Sequence, residues 1–95
     1  MFIILLKFIN RDRAGAFMEG HMQWLKQGFE DGIFILAGGI KPQLGGAIIA
    51  KNSSFEIIQK RVDQDPFVIE KVVEAEILEI SPSKLDERFA DLLKA

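Results

Sequence analysis

Residues 2–9 read FIILLKFI, and the distribution of apolar side chains in this stretch decides the fold. Even positions carry Phe2, Ile4, Leu6 and Phe8, and odd positions carry Ile3, Leu5, Lys7 and Ile9. Successive side chains of a strand point to opposite faces, so a strand covered on one side alternates apolar with polar residues. Here only Lys7 interrupts, and both faces need cover. The stretch has no basic n-region and no small-residue cleavage site, so a buried strand is expected and not a signal peptide. It is also far too short for a transmembrane helix, which takes about 20 residues.

Downstream, NRDRAG (10–15) breaks the pattern. At about 100° per residue, residues 14–31 place Phe17, His21, Trp24, Leu25 and Gly28 on one side of a helix, with Met18, Met22 and Phe29 on its flank. Glu19, Gln23, Lys26, Gln27 and Glu30 lie opposite, and Gly32 is a natural stop. IFILA (33–37) reads as a second strand, GGIKPQLGG (38–46) as a hairpin loop and AIIA (47–50) as a third strand. Ser53 and Glu56 have capping-box spacing and predict a second helix with Phe55, Ile58 and Val62 inward. It should end near Asp65-Pro66, because proline disfavours helical geometry in the residue before it. VVEAEILEI (72–80) is a fourth strand. Ser83 then caps an amphipathic helix over 83–94 with Leu85, Phe89, Leu92 and Leu93 inward.

The order β-α-β-β-α-β predicts an α+β domain of the ferredoxin-like type spanning 1–95, with its core in 1–81. A four-stranded antiparallel sheet would carry two helices on one face, and the C-terminal helix would follow. The other sheet face would be bare yet largely apolar in the first strand. A second copy of the chain is the simplest cover, so a homodimer through the sheet face, or a higher oligomer, is expected. Lys7 would either pair with Glu74 or Glu76 of the fourth strand or stand as a solvated rim charge.

A chain of 95 residues that is 48% apolar and 27% charged has the balance of one globular domain. Net charge is −2 with no basic run, so neither nucleic acid nor membrane is an expected partner. The absence of cysteine removes disulfides, thiolate metal sites and a Cys nucleophile, and fits a cytoplasmic location. With one histidine and no cysteine, no metal site is expected. Gly38-Gly39 and Gly45-Gly46 lack the spacing of a P-loop or dinucleotide fingerprint. Ser53 and Ser54 read as cap residues, not nucleophiles.

Acid–base chemistry needs a group that titrates near neutrality and a partner to hold it, which makes His21 the first candidate. Extending the second helix by about 100° per residue brings Asp65 to the side of Ile58, while Asp63 points to solvent. A carboxylate on one imidazole nitrogen fixes the tautomer and leaves the other nitrogen free. Both residues also have plain structural readings: a hydrogen-bonded histidine on an apolar face, and an Asp-Pro turn that ends a helix. Trp24 and Phe67 are candidates for lining an apolar substrate pocket or for core. Gly38-Gly39 and Gly45-Gly46 read as turn glycines or as a backbone rim that admits a small ligand.

Taken together, His21 with Met22 and Leu25, then Gly32, Ala37-Gly38, Gly45-Gly46 and Asp65-Pro66-Phe67, resemble the YciI-like family of the dimeric α/β-barrel superfamily. The resemblance covers roughly residues 1–80. It departs from the family pattern at Gly39, where proline is usual, at Met22, where leucine is usual, and at Ile69-Glu70-Lys71, where small residues often follow. It implies a ferredoxin-like subunit that dimerises through its sheet, with His21 and Asp65 as the active-site pair. The superfamily includes enzymes that isomerise lactones or process small aromatic and ring-cleavage intermediates, mostly without metal or organic cofactor, so the resemblance implies no cofactor here; it also includes members with no known catalysis. The expected function is therefore isomerisation, elimination or hydrolysis on a small cyclic or aromatic acid. A non-catalytic small-molecule-binding module and an interaction protein working through its sheet are the alternatives.

Overall fold

Strand β1 (Phe2–Phe8) lies inside a sheet of order β2-β3-β1-β4, with every neighbour antiparallel. The computed structural model describes residues 1–92. The other strands are β2 (Phe34–Ile40), β3 (Gly45–Ala50) and β4 (Val73–Glu79). Phe2, Ile4 and Leu6 are buried, while Ile3 and Leu5 are half-buried and Lys7 is exposed. The two-residue period of a strand thus divides FIILLKF into a sealed row and an open row.

The sealed row is covered by α1 (Ala14–Glu30) and α2 (Phe55–Val62). Trp24, Phe34, Ile48, Ile58 and Val62 complete the core. Each fully buried side chain of this kind stabilises the fold by about 1.5–3 kcal/mol. Gly28 sets how closely α1 approaches the sheet, since a Cβ there would lie 2.1 Å from the Phe34 ring. Trp24 meets the edge of Phe34 at 5.2 Å between ring centroids.

Several elements differ from the sequence reading. Strands β2 and β3 are longer than expected, and the turn between them contracts to residues 41–44. Glycine is a poor strand former, but its backbone still pairs: Gly38 sits opposite Ala47, and Gly39 opposite Gly46. Ser54, not Ser53, caps α2, accepting from the Ile57 amide at 3.2 Å. Phe55, the first residue of α2, remains 42% exposed and is not part of its inner face. Pro66 opens an unforeseen short helix, α3 (Pro66–Ile69), because a proline has no amide proton to lose at a helix start.

At the C-terminus, Asp86 and not Ser83 caps a four-residue helix, α4 (Glu87–Ala90). Leu85, Phe89 and Leu92 are 44–53% exposed. The core is already closed by α1 and α2, so the expected inward face has no interior to meet. Leu93 and the end of the expected helix lie outside the described residues. On the open sheet face Lys7 Nζ is 3.7 Å from Glu76 Oε1, diagonally across from its ladder partner Glu74. Both side chains are more than half exposed, and such a pair adds little stability. No helix among the described residues is long and apolar enough to cross a membrane.

Candidate functional site

The Asp65-Pro66-Phe67 turn builds the site. Proline forces the residue before it into extended geometry, and Asp65 has φ −66 and ψ 122. The side chain then folds back as the cap of α3, its Oδ1 accepting from the Phe67 amide at 3.0 Å. The same oxygen lies 2.8 Å from His21 Nδ1. Asp65 is wholly buried, and its Oδ2 has no protein partner. Since a carboxylate oxygen accepts, Nδ1 is the donor of this bond.

His21 comes from the middle of α1, on the face turned towards the sheet. Phe67 stacks flat against its ring, with centroids 4.0 Å apart and planes 5° from parallel. Trp24 lies 5.7 Å away at 29°. The Trp24 indole is itself anchored, donating from Nε1 to the Arg61 carbonyl at 2.8 Å. The Arg61 guanidinium reaches back to Asp31 at 2.9 Å, and so ties α2 to the end of α1. Hydrogen bonds from Gln27 and then Arg61 hold the Asp31 carboxyl below its ordinary value of 3.8.

His21 Nε2 has no hydrogen-bond partner among the described residues, and 14% of the side chain is exposed. Two hollows of about 170 and 150 Å³ meet at His21, sharing Leu6 and Gly46. A dry cavity of roughly 150 Å³ holds a benzene-sized molecule, so each hollow suits about one ring. Phe8, Met18, Met22 and Phe67 wall the first; Leu25, Ala37, Gly38 and Ile48 wall the second. Gly46 faces Leu6 across the ladder, and the two line both hollows.

The structure therefore brings His21, Asp65 and Phe67 together, with Gly38 on the wall of the second hollow. Trp24 and Gly39 line neither hollow. Trp24 is instead core, because its indole is drawn under α2 by the bond to Arg61. Gly39 stands opposite Gly46 in the β2–β3 ladder but lies outside both linings. The rim reading of the second glycine pair holds for Gly46, while sequence reasoning missed Phe8 and the two methionines as wall residues. Their signals were an apolar strand end and an apolar flank of α1, which read equally well as core. Among the described residues no group of three His, Cys, Asp or Glu side chains is placed to hold a metal.

No family model matches this sequence, and no curated protein matches it. Among solved structures the fold is similar to that of the 5-chloro-2-hydroxyhydroquinone dehydrochlorinase of Burkholderia phenoliruptrix AC1100, in complex with 2,5-dihydroxybenzoquinone. The TM-score is 0.64 at 13% identity, covering 85% of this chain and 94% of that one. At that identity the likeness is one of fold: an α+β, ferredoxin-like βαββαβ arrangement with a four-stranded antiparallel sheet.

Proposed function

We propose that this protein is a small enzyme of the YciI-like kind, performing acid–base chemistry on a small cyclic or aromatic compound. The observation that carries the reading is the 2.8 Å bond between His21 and a fully buried Asp65, beside two ring-sized apolar hollows. His21 Nε2 takes a proton from a carbon next to a carbonyl, while Asp65 orients the ring through Nδ1 and stabilises the imidazolium that forms. Returning the proton to another carbon gives isomerisation, and returning it to a departing group gives elimination. The apolar walls lower the local dielectric and so strengthen the Asp65–imidazolium interaction. The dehydrochlorinase of similar fold, which acts on a chlorinated hydroxyhydroquinone, supports a ring compound as substrate.

The working form in this reading is a homodimer closed over the open sheet face. Ile3, Leu5, Ile49 and Leu78 lie on that face, and Leu78 is 41% exposed. Covering such a row is the simplest way to remove it from water. The expected location is the cytoplasm.

The test is hydrogen–deuterium exchange catalysed in D2O, read by NMR on a panel of cyclic ketones and lactones. Wild type should accelerate exchange at the carbon beside the carbonyl, and His21→Gln should lose about 10²–10⁴-fold of that rate. Exchange that His21→Gln leaves unchanged would remove His21 from the reaction. One observation favours a non-catalytic binding module: Phe67 covers a face of the imidazole, which leaves 14% of the side chain exposed. Compounds that shift the His21 resonances but never exchange would mark that second reading.

A further inference from the structure

Neither hollow is lined by a lysine or an arginine, so nothing in the walls answers the charge of an acid. One cation stands against a wall residue. The Arg11 guanidinium carbon lies 5.8 Å from the centroid of the Phe8 ring, and Phe8 lines the first hollow. The Phe8 and Phe67 ring centroids are 6.4 Å apart, and Phe67 stacks on His21. Arg11 thus stands at one end of a run of ring contacts that reaches the imidazole.

Its position is fixed from two sides. The guanidinium donates to the side-chain oxygen of Gln43, in the turn between β2 and β3. That turn is fastened to the end of β1, where the Phe8 amide donates to the Leu44 carbonyl at 3.0 Å. The charge of Arg11, however, is not matched. Of the four arginines in the sequence, Arg13, Arg61 and Arg88 each pair with a carboxylate. Among the described residues, Arg11 has a neutral amide in that place.

We propose that Arg11 is the anion-recognising residue of the cleft and selects ring compounds that carry a carboxylate or phenolate; this rests on the reading of the His21 cleft given above. The planar guanidinium offers a carboxylate two parallel N–H donors, which a lysine cannot do. Its place over the Phe8 ring and its bond to Gln43 hold that fork before any ligand arrives. The ring of the ligand enters between Phe8, Phe67 and the methionines, and its anionic substituent stays at the Arg11 end. The proton-bearing carbon is then directed towards His21.

The experiment titrates ¹⁵N-labelled protein with benzoate and with its neutral isostere benzamide, following the Gly46 amide and the His21 imidazole. Both probes should shift these signals in wild type, with a Kd about fivefold lower for benzoate, as fits an exposed but bidentate ion pair. Arg11→Gln should erase the preference, leave benzamide binding unchanged and keep the remaining amide spectrum intact. Arg11→Lys should retain part of the preference. Equal affinity of the two probes in wild type, or a preference that survives Arg11→Gln, overturns the role of Arg11 and leaves the cleft reading standing. No shift at His21 or Gly46 from either probe overturns the cleft reading itself, and this proposal with it.

Discussion

The imidazole of His21 and the ring of Phe67 lie parallel at 4.0 Å, and the Phe67 amide donates to the same Asp65 oxygen that faces His21 Nδ1. Phe67 therefore holds the histidine twice, by its face and through Asp65. Replacing Phe67 by alanine removes the stacked ring but keeps the amide. A loss of about 3–5 kcal/mol in urea denaturation is expected for so buried an aromatic. Phe67→Leu should cost less, yet still broaden the His21 imidazole signals, because a branched aliphatic cannot fix the ring plane.

Asp65 separates capping from orientation. Asp65→Asn keeps an oxygen for the Phe67 amide, whereas Asp65→Ala removes the cap and leaves His21 Nδ1 without its acceptor. The alanine variant should lose about 2 kcal/mol or more, and the asparagine variant should recover the capping share of it, about 1 kcal/mol. Equal losses in the two variants would mean that the cap contributes nothing.

The two neighbouring glycines should behave differently. Gly45 has φ +141, and a Cβ there would lie 1.9 Å from the Leu6 carbonyl oxygen. Gly45→Ala should therefore destabilise by at least about 2 kcal/mol. A Cβ on Gly46 would meet nothing closer than the Gly38 carbonyl oxygen at 3.5 Å. Gly46→Val should fold, place its methyls between the two hollows and abolish benzamide shifts at His21.

Light scattering reads the open sheet face. Leu5 is half-buried there, on the row opposite Leu6. Wild type should have the mass of a dimer or larger assembly, and Leu5→Glu should be a folded monomer. A monomeric wild type would remove the case for the sheet-face assembly.

Acid stability follows from Asp31. Its carboxyl is held below 3.8 by Gln27 and Arg61, so its folded value lies under its unfolded one. The stabilisation is then fully present above the unfolded value, about 3.9, and disappears as pH falls through the folded value. Asp31→Asn should have a lower urea midpoint than wild type at pH 7, and the gap should close in acid. A gap that stays constant with pH would show that the charge of Asp31 is not what stabilises.

The element order was legible because FIILLKFI and VVEAEILEI have strand periods and residues 14–31 a helical one. The nearness of His21 and Asp65 was legible for the same reason, since helix period sets which side a residue takes. The lengths of β2 and β3 were not, because the Gly38–Ala47 and Gly39–Gly46 pairs join by backbone alone. Pro66 was read as a stop and also proved to be a start, two uses of one ring that sequence does not separate. The apolar stripe of Leu85, Phe89 and Leu92 was visible, but a stripe does not say what it faces. The sequence leaves Trp24 open between pocket and core because its orientation depends on the carbonyl of Arg61, 37 residues away.

Asp65 also limits what substitution can reach at this site. Its position must supply a short side chain that accepts from an amide two residues on, precede a proline, and present the same oxygen to a histidine in another helix. Glutamate is a methylene too long for that turn, serine is a weaker acceptor, and asparagine keeps the shape without the charge. Anyone redesigning the cleft for another ring can therefore vary its walls widely, but moving the histidine's partner means rebuilding the start of a helix.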